Sequence, residues 1–312
     1  MKGRGESYEI LYDLPAGEYS DAGVGAIRTR TVRAGALLDV EAYPLARLNR
    51  EARRELKRRR TSAAMEAVNR RNTQRRVLWL LENNFTPLSY RLDLTFNYGF
   101  IDRGQSNLAD VKASMERLGV PMCDEDARKL VRNYFDRVRY WMKKAGQKPG
   151  LLKYLYVIET TREPRDEDPN PLPPRYHFHI VIDAPGLDGD ALKALWPYGY
   201  GRADHLDFRF GGMEPLAKYL TKQRGAAGYS RTGGRIQRRW AHSRNLKNPD
   251  IRVSDRKISR RRARRIAEDV RQFGREILER LYPGYRCAEE PVVKYSDFVS
   301  GAYIYARLRK IE

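Results

Sequence analysis

The chain has 312 residues and a strong positive charge, since 61 Lys and Arg against 40 Asp and Glu give a formal net charge of +21. Hydrophobic residues make up 41% of the sequence, enough to fill the core of one large domain or two modest ones. No apolar run approaches the roughly 18 residues of a membrane helix, and the sequence does not start with a signal peptide's apolar segment. We therefore expect a cytoplasmic protein without a membrane partner. Two cysteines are too few for a disulfide scaffold or a four-thiolate zinc site.

The excess of basic residues predicts a polyanionic partner, and nucleic acid is the most common one. Basic residues concentrate in two segments predicted to be helical, residues 45–82 and 255–281. Each could be a solvated helix face or a clamp on the DNA backbone, and the density of arginines favours the clamp because the guanidinium fork matches phosphate oxygens. An anionic membrane is disfavoured because neither helix shows a bulky apolar face. The candidate DNA contacts are Arg58, Arg59, Arg60, Arg261 and Arg262.

Residues 90–224 show hydrophobic periods that switch between the strand and the helix pattern. Residues 90–96 alternate apolar and polar side chains, whereas residues 124–144 carry an apolar stripe at helical spacing that includes Val138 and Trp141. The predicted elements are strand 90–96, helix 124–144, strand 153–160, strand 175–183, helix 188–196, strand 205–210 and helix 213–224. The order β-α-β-β-α-β-α predicts an α+β, ferredoxin-like (split βαβ) fold, an antiparallel sheet with helices on one side.

This order divides the chain into three predicted regions. Residues 86–225 form the central domain, residues 1–85 an N-terminal extension with a basic helix, and residues 226–312 a basic C-terminal extension. The first 40 residues are Gly-rich and irregular and receive no predicted role.

Two of the four histidines, His177 and His179, lie two residues apart in the predicted strand 175–183. Side chains two apart on a strand point to the same side, so the imidazoles would be neighbours. Imidazole is a common metal ligand, and such a pair supplies half of a metal site. A purely structural pair is the alternative that the sequence leaves open.

The preceding predicted strand, residues 153–160, is largely apolar but places a carboxylate near its end at Glu159. With the histidine pair it would complete a set of two imidazoles and one carboxylate. A mixed nitrogen and oxygen set with open positions suits Mn²⁺ or Mg²⁺ acting on phosphate oxygens, whereas structural zinc needs a fourth protein ligand. Asp93 and Thr95, on one side of the first predicted strand, are candidates for orienting the ligands. A solvent-facing strand end is the alternative for Glu159.

The last predicted helix of this region carries Tyr219 and Lys222, which point together because they are three residues apart. A phenol is a weak nucleophile near neutral pH and needs a polarised phosphate and a nearby ammonium that favours the phenolate. These two residues are the catalytic candidates, and Lys218 is a candidate DNA contact. Ordinary packing is the alternative, since the chain has 20 tyrosines.

Together these motifs resemble the HUH endonucleases, named for two histidines flanking a bulky hydrophobic residue, here His177-Phe178-His179. The resemblance covers about residues 90–224 in the family order: a strand with Leu94-Thr95-Phe96, the HUH strand, and a helix with the tyrosine. The segment Tyr219-Leu220-Thr221-Lys222 is similar to the tyrosine motif of replication initiators from small single-stranded DNA phages and rolling-circle plasmids.

The resemblance implies an enzyme that nicks single-stranded or hairpin DNA at a replication origin and stays joined to it through a 5′-phosphotyrosine at Tyr219. It also implies Mn²⁺ or Mg²⁺ bound by His177, His179 and Glu159. The tyrosine follows the histidine pair as in initiators, whereas in conjugative relaxases it precedes them. Positions 215 and 223 are Pro and Gln, which indicates the single-tyrosine class. The sequence has no Walker motif, so a helicase and a polymerase would come from the bacterial host.

Two rival functions stay open at this point. One is a single-tyrosine transposase of the same superfamily, although such chains are usually much shorter. The other is a non-catalytic RNA- or DNA-binding protein with the same sheet topology, in which histidines and aromatic residues only stack on bases.

Overall fold

The computed structural model describes residues 25–45, 62–97, 115–121, 123–160, 175–209, 211–221, 240–296 and 299–311. The chain forms two compact units. The terminal unit consists of Met1–Asn83, Met213–Thr221 and Lys247–Glu312, and the inserted unit consists of Asn84–Gly212 and Lys222–Leu246. In the described residues no helix is both long and apolar enough to cross a bilayer.

The helices and strands follow one another along the chain as follows. They are β1 (Ala26–Ala34), β2 (Leu37–Leu45), α1 (Ser62–Asn84), β3 (Tyr90–Thr95), α2 (Asp124–Lys144), β4 (Lys153–Thr160), β5 (Tyr176–Asp183), α3 (Gly189–Ala194), β6 (Gly201–His205), α4 (Glu214–Thr221), β7 (Trp240–His242), β8 (Asp250–Ser254), α5 (Arg260–Glu268), α6 (Arg275–Leu281), β9 (Tyr285–Cys287), β10 (Val292–Ser296) and β11 (Val299–Lys310).

The terminal unit is built on an antiparallel sheet with the strand order β10-β11-β2-β1-β8, and β9 pairs with β11. One side of this sheet packs on α5 and α6 through a core that includes Val40, Ile304, Ile266 and Leu278. The opposite side carries charged residues of β2 and β11. Because β2 pairs with β11, segments from the two ends of the chain share one hydrophobic core.

The inserted unit contains a five-stranded antiparallel sheet with the order β6-β3-β5-β4-β7. Alternation along the strands sends Leu92, Phe178 and Ile158 into a core with Val131 and Val138 of α2. We call this the helix side of the sheet. The other side, which we call the histidine side, receives the residues between these apolar positions.

The structure agrees with an α+β fold of antiparallel sheets and helices, but it divides the chain differently from the sequence-based prediction. Segments of the two expected extensions, residues 1–85 and 226–312, share one sheet because Val40 on β2 pairs with Ala306 on β11, whereas Lys222–Leu246 belongs to the inserted unit. Residues 26–40, which receive no predicted role, form most of the β1-β2 hairpin, which turns at Gly35 with φ +56°. A Cβ on Gly35 would lie 2.1 Å from the carbonyl oxygen of Glu82, so only glycine fits there.

Several predicted elements differ in their bounds. The predicted strand 205–210 is wrong except at His205, because Gly201–His205 pair with β3 to form β6 and residues 206–209 are not in a strand. The predicted basic helix 255–281 is divided into α5 and α6 by a π-helical turn at Val270–Gly274. Helix α1 begins at Ser62, and residues 46–61 of the predicted basic helix lie outside the described residues. Trp141, predicted to be buried, is 50% exposed, because Met142 takes the buried position four residues after Val138.

Candidate metal and DNA site

Two adjacent rows of paired residues cross the sheet of the inserted unit. In one row His177 on β5 lies between Thr95 on β3 and Glu159 on β4. In the next row Asp93 on β3 is paired with His179 on β5. Residues paired across antiparallel strands point to the same side, so all five side chains lie on the histidine side.

His179 lies between two carboxylates. Its Nδ1 is 2.6 Å from Oδ1 of Asp93, and its Nε2 is 2.7 Å from Oε2 of Glu159. Asp93 also accepts a hydrogen bond of 2.8 Å from Nη2 of Arg91. The side chain of His179 is 11% exposed and contacts groups on both flanking strands, so its orientation is fixed.

The surroundings shift the pKa values of the two histidines in opposite directions. Burial alone would lower the pKa of His179, but the hydrogen bonds with Asp93 and Glu159 outweigh it and the pKa is raised. Burial lowers the pKa of His177, and the charge of His179 lowers it further. Burial would raise the pKa of Asp93, but the hydrogen bond with His179 and the charge of Arg91 bring it below its usual value. His177 is therefore biased toward the neutral imidazole that binds metals.

The chemistry of this donor set fits a divalent cation. A cation that replaced the proton between His179 and Glu159 would meet an imidazole nitrogen and a carboxylate oxygen, with a second imidazole on the same side at His177. Asp93 would continue to accept from Nδ1, as carboxylates behind metal-binding histidines commonly do. Across the described ranges, no three or more His, Cys, Asp and Glu side chains are already grouped closely enough to hold a metal ion. The predicted metal site therefore stays a prediction.

The histidine side carries two further rings that the sequence analysis did not select. Trp240 on β7 pairs with Val157, which pairs with His179, and His242 pairs with Leu155. The alternation Trp240-Ala241-His242 is the only local signal for these residues, and three residues are too few to predict a strand from a single sequence.

The candidate nucleophile Tyr219 lies on α4, which belongs to the terminal unit, whereas the histidines belong to the inserted unit. Two hydrogen bonds hold the start of α4 within the terminal unit: the Met213 N–H donates to Glu82 Oε1 at 2.9 Å, and Arg307 Nη1 donates to Glu214 Oε2 at 2.5 Å. The side chain of Tyr219 is 37% exposed, whereas Leu220 next to it is buried. The side of α4 that carries Tyr219 therefore faces solvent.

The basic candidates are only partly described by the structure. Lys218 is exposed and forms an ion pair of 2.7 Å with Glu214 on the same helix. Arg261 and Arg262 are exposed on α5, and Ala263 and Ile266 fill the buried side of that helix. The remaining candidates, Lys222, Arg58, Arg59 and Arg60, lie outside the described residues.

Compared with protein-family models, with curated proteins and with solved structures, the chain gives no significant match in any of the three.

Proposed function

We propose that the protein is a metal-dependent endonuclease of the HUH type that nicks single-stranded or hairpin DNA at a replication origin and starts rolling-circle replication. One observation carries the proposal: His179 is held between Asp93 and Glu159, with His177 beside Glu159 on the same side of the sheet. A histidine pair with a purely structural role would not require a carboxylate at each ring nitrogen of His179.

The strand arrangement supports the proposal. Residues 90–205 follow the order β-α-β-β-α-β, and β3 and β5 are the central pair of the four strands β6-β3-β5-β4. This order supports a ferredoxin-like, split βαβ sheet as part of the proposal, since that is the fold that the resemblance to HUH endonucleases implies. The sequence order of the histidine pair and Tyr219 also supports an initiator rather than a relaxase.

The residues of the site have separate roles in this proposal. His177, His179 and Glu159 hold the cation, and Asp93 keeps the Nδ1 proton of His179 in place so that Nε2 points toward Glu159. A bound Mn²⁺ or Mg²⁺ would polarise a phosphate oxygen of the DNA and stabilise the charge of the transition state. Arg91 neutralises part of the charge of Asp93 and fixes its carboxylate.

Tyr219 is the proposed nucleophile on the basis of its sequence motif and its exposure. Its phenol oxygen forms a bond to phosphorus while the bond between phosphorus and the 3′-oxygen breaks, and the phenol proton ends on the departing 3′-oxygen. The product is a 5′-phosphotyrosine and a free 3′-hydroxyl that a host polymerase can extend after a host helicase separates the strands. A later 3′-hydroxyl can attack the phosphotyrosine and reseal the strand without ATP. Lys222 is proposed to favour the phenolate, and Lys218, Arg261 and Arg262 to contact backbone phosphates.

A cleavage assay on labelled single-stranded and hairpin oligonucleotides with Mn²⁺ tests the proposal. We expect a covalent adduct and a free 3′-hydroxyl end, lost with EDTA and with His177→Ala. The matched control is His205→Ala, which removes a histidine whose ring centroid lies 4.3 Å from that of Tyr90 on the other side of the sheet, and it should leave cleavage unchanged. Cleavage that persists in excess EDTA would contradict the metal site. DNA binding without any cleavage would instead favour the non-catalytic alternative.

A further inference from the structure

The short strand β7 adds two aromatic side chains to the side of the sheet that carries the histidines. Trp240 occupies the same row as His179, with Val157 of β4 between them, and His242 lies in the next row beside Leu155. Two strand spacings separate Trp240 from His179, about 10 Å along the row. A nucleotide next to a phosphate held at His179 can therefore reach the indole.

The two rings are held in a fixed arrangement. Their centroids are 5.8 Å apart with an interplanar angle of 28°, and both residues are half-buried, so part of each ring reaches solvent. The carbonyl oxygen of Ser243 lies 2.8 Å from Nδ1 of His242 and can only accept, so Nδ1 is the donor. Ser243 in turn ties the end of β7 to β4, because its N–H donates to the Tyr154 carbonyl at 2.9 Å and its Oγ accepts from the Tyr154 N–H at 3.1 Å.

The environment of Trp240 differs from that of the two buried tryptophans. Trp79 and Trp196 are 8% and 4% exposed, and their Nε1 atoms donate to Asp39 and to the Thr95 carbonyl. Trp240 is more exposed, lies at the sheet edge, and shares a row with the candidate metal site. The exposed and positively charged Arg244 follows His242 by two residues in the sequence. Aromatic rings with cations beside them are the usual surface for unpaired bases.

We propose that Trp240 and His242 form a stacking platform for an unpaired base of single-stranded DNA, next to the phosphate at the histidine site. This inference rests on the proposed function and specifies the substrate: the strand must be unpaired at the nucleotide that flanks the cleaved bond. A base in a duplex keeps both faces stacked on its neighbours and offers none to the indole. The platform therefore selects single strands or hairpin loops over duplexes, independently of the charge of the backbone.

Binding without cleavage tests the platform. The affinity of a fluorescein-labelled single-stranded oligodeoxynucleotide is measured by anisotropy in EDTA with the full-length chain. We expect Trp240→Ala to raise Kd roughly ten-fold or more, because stacking of one base is lost. Trp240→Phe keeps an aromatic face and should stay within about three-fold of the unmodified protein. The matched control is Trp141→Ala, which removes a 50% exposed tryptophan from α2, the helix that packs on the opposite side of the sheet.

A second oligonucleotide of the same length without bases separates stacking from phosphate contacts. The difference between Trp240→Ala and the unmodified protein should disappear with this abasic strand. Unchanged affinity of Trp240→Ala for the normal strand, or an equal loss with the abasic strand, would overturn the platform. So would a Trp240→Phe variant that folds normally and binds as weakly as Trp240→Ala. Tighter binding of the matching RNA strand would overturn the assignment to DNA.

The failure of the platform and the failure of the proposed function give different results. If Trp240→Ala cleaves and binds normally, the platform is wrong and the endonuclease stands. If the stacking pattern is observed but no strand is ever cleaved with Mn²⁺, the endonuclease is wrong and the aromatic platform stands as part of a binding protein.

Discussion

Arg307 on β11 and Asp39 on β2 lie opposite each other in the sheet of the terminal unit, with 3.0 Å between Nε and Oδ1. Asp39 is fully buried and also accepts from Nε1 of Trp79 at 2.7 Å and from the hydroxyl of Tyr305 at 3.0 Å. Arg307 extends the cluster to Glu214 at the start of α4. A buried charge cluster thus joins both ends of the chain to the helix that carries the tyrosine.

Removal of one charged side chain from this cluster should lower the free energy of unfolding strongly. Arg307→Met leaves the Asp39 charge buried without its cation, and we expect a loss of about 3–5 kcal/mol in the free energy of unfolding. The measurement is urea denaturation followed by circular dichroism. Arg261→Met, on the exposed side of α5, is the matched control and should change the stability by less than about 0.5 kcal/mol. Equal small effects of both substitutions would contradict the role of Arg307.

Asp93 should control metal affinity without binding the cation. Asp93→Asn keeps the size of the side chain but removes the charge that holds Nδ1 of His179. We expect a 10- to 100-fold weaker affinity for Mn²⁺, roughly the cost of removing a carboxylate behind a metal-binding histidine. Calorimetric titration with Mn²⁺ measures it, and Asp190→Asn, an exposed carboxylate at the start of α3, is the control. Unchanged affinity in Asp93→Asn would show that the cation, if bound, does not use His179.

Tyr219 should be the residue joined to DNA. Tyr219→Phe removes the nucleophilic oxygen and keeps the ring, so binding of DNA and Mn²⁺ should be normal while the adduct is absent. Tyr200→Phe changes another exposed tyrosine and should form the adduct normally. Mass spectrometry of peptides from the adduct identifies the attachment site. Attachment at Tyr229 would show that Tyr219 is not the nucleophile.

The exposed arginines of α5 should contribute to the salt dependence of DNA binding. Deletion of residues 255–312 would remove β11 and unfold the terminal unit, so neutralisation is the better test. In Arg261→Gln/Arg262→Gln the slope of log affinity against log salt should become shallower by about 1.4, since each phosphate contact to a single strand contributes about 0.7. The control is Arg271→Gln/Arg280→Gln, because those exposed arginines are paired with Glu290 and Glu276. Equal slopes in all three proteins would make the α5 arginines a solvated surface.

The two cysteines should differ in reactivity. Burial raises the pKa of Cys287 from 9.0 to about 11, so at pH 8 it is a thiol and not the reactive thiolate. Cys123 is exposed, and we expect iodoacetamide to modify it first. A raised pKa favours the neutral thiol in the folded state, so this contribution to stability is complete below about pH 9 and is lost as the pH rises toward 11. Peptide mass spectrometry after timed alkylation checks the order, and simultaneous modification at pH 8 would contradict it.

The sequence predicts best the elements whose pattern is local. The bounds of α2, Asp124–Lys144, agree with the predicted helix because its apolar stripe, from Ala127 to Met142, runs without interruption for about four turns. Strands β4 and β5 are likewise within one residue of the prediction, and their alternation places the histidines and Glu159 on one side. The placement of Asp93 behind His179 also follows from alternation once the two strands are neighbours.

The sequence did not predict the features that depend on pairing between strands far apart in the chain. The hairpin β1-β2 is stable because β11 and β8 flank it, and neither partner is visible in the hairpin's own residues. Trp240 and His242 become part of the site only because β7 pairs with β4. For Trp141 the pattern itself was ambiguous, since positions three and four residues after Val138 both lie near the apolar stripe and only packing decides between them.

The pairing of β2 with β11 has a consequence for synthesis on the ribosome. Asp39 and Arg307 are 268 residues apart in the sequence, so β2 is synthesised long before its partner strand β11. At about 5–20 residues per second, this delay is on the order of tens of seconds, whereas the strands of the inserted unit follow one another closely. The inserted unit can therefore fold first, while the N-terminal hairpin waits with an unpaired strand edge that is prone to aggregation. Low yields on rapid expression, relieved at low temperature or by a co-expressed chaperone, are the expected practical result.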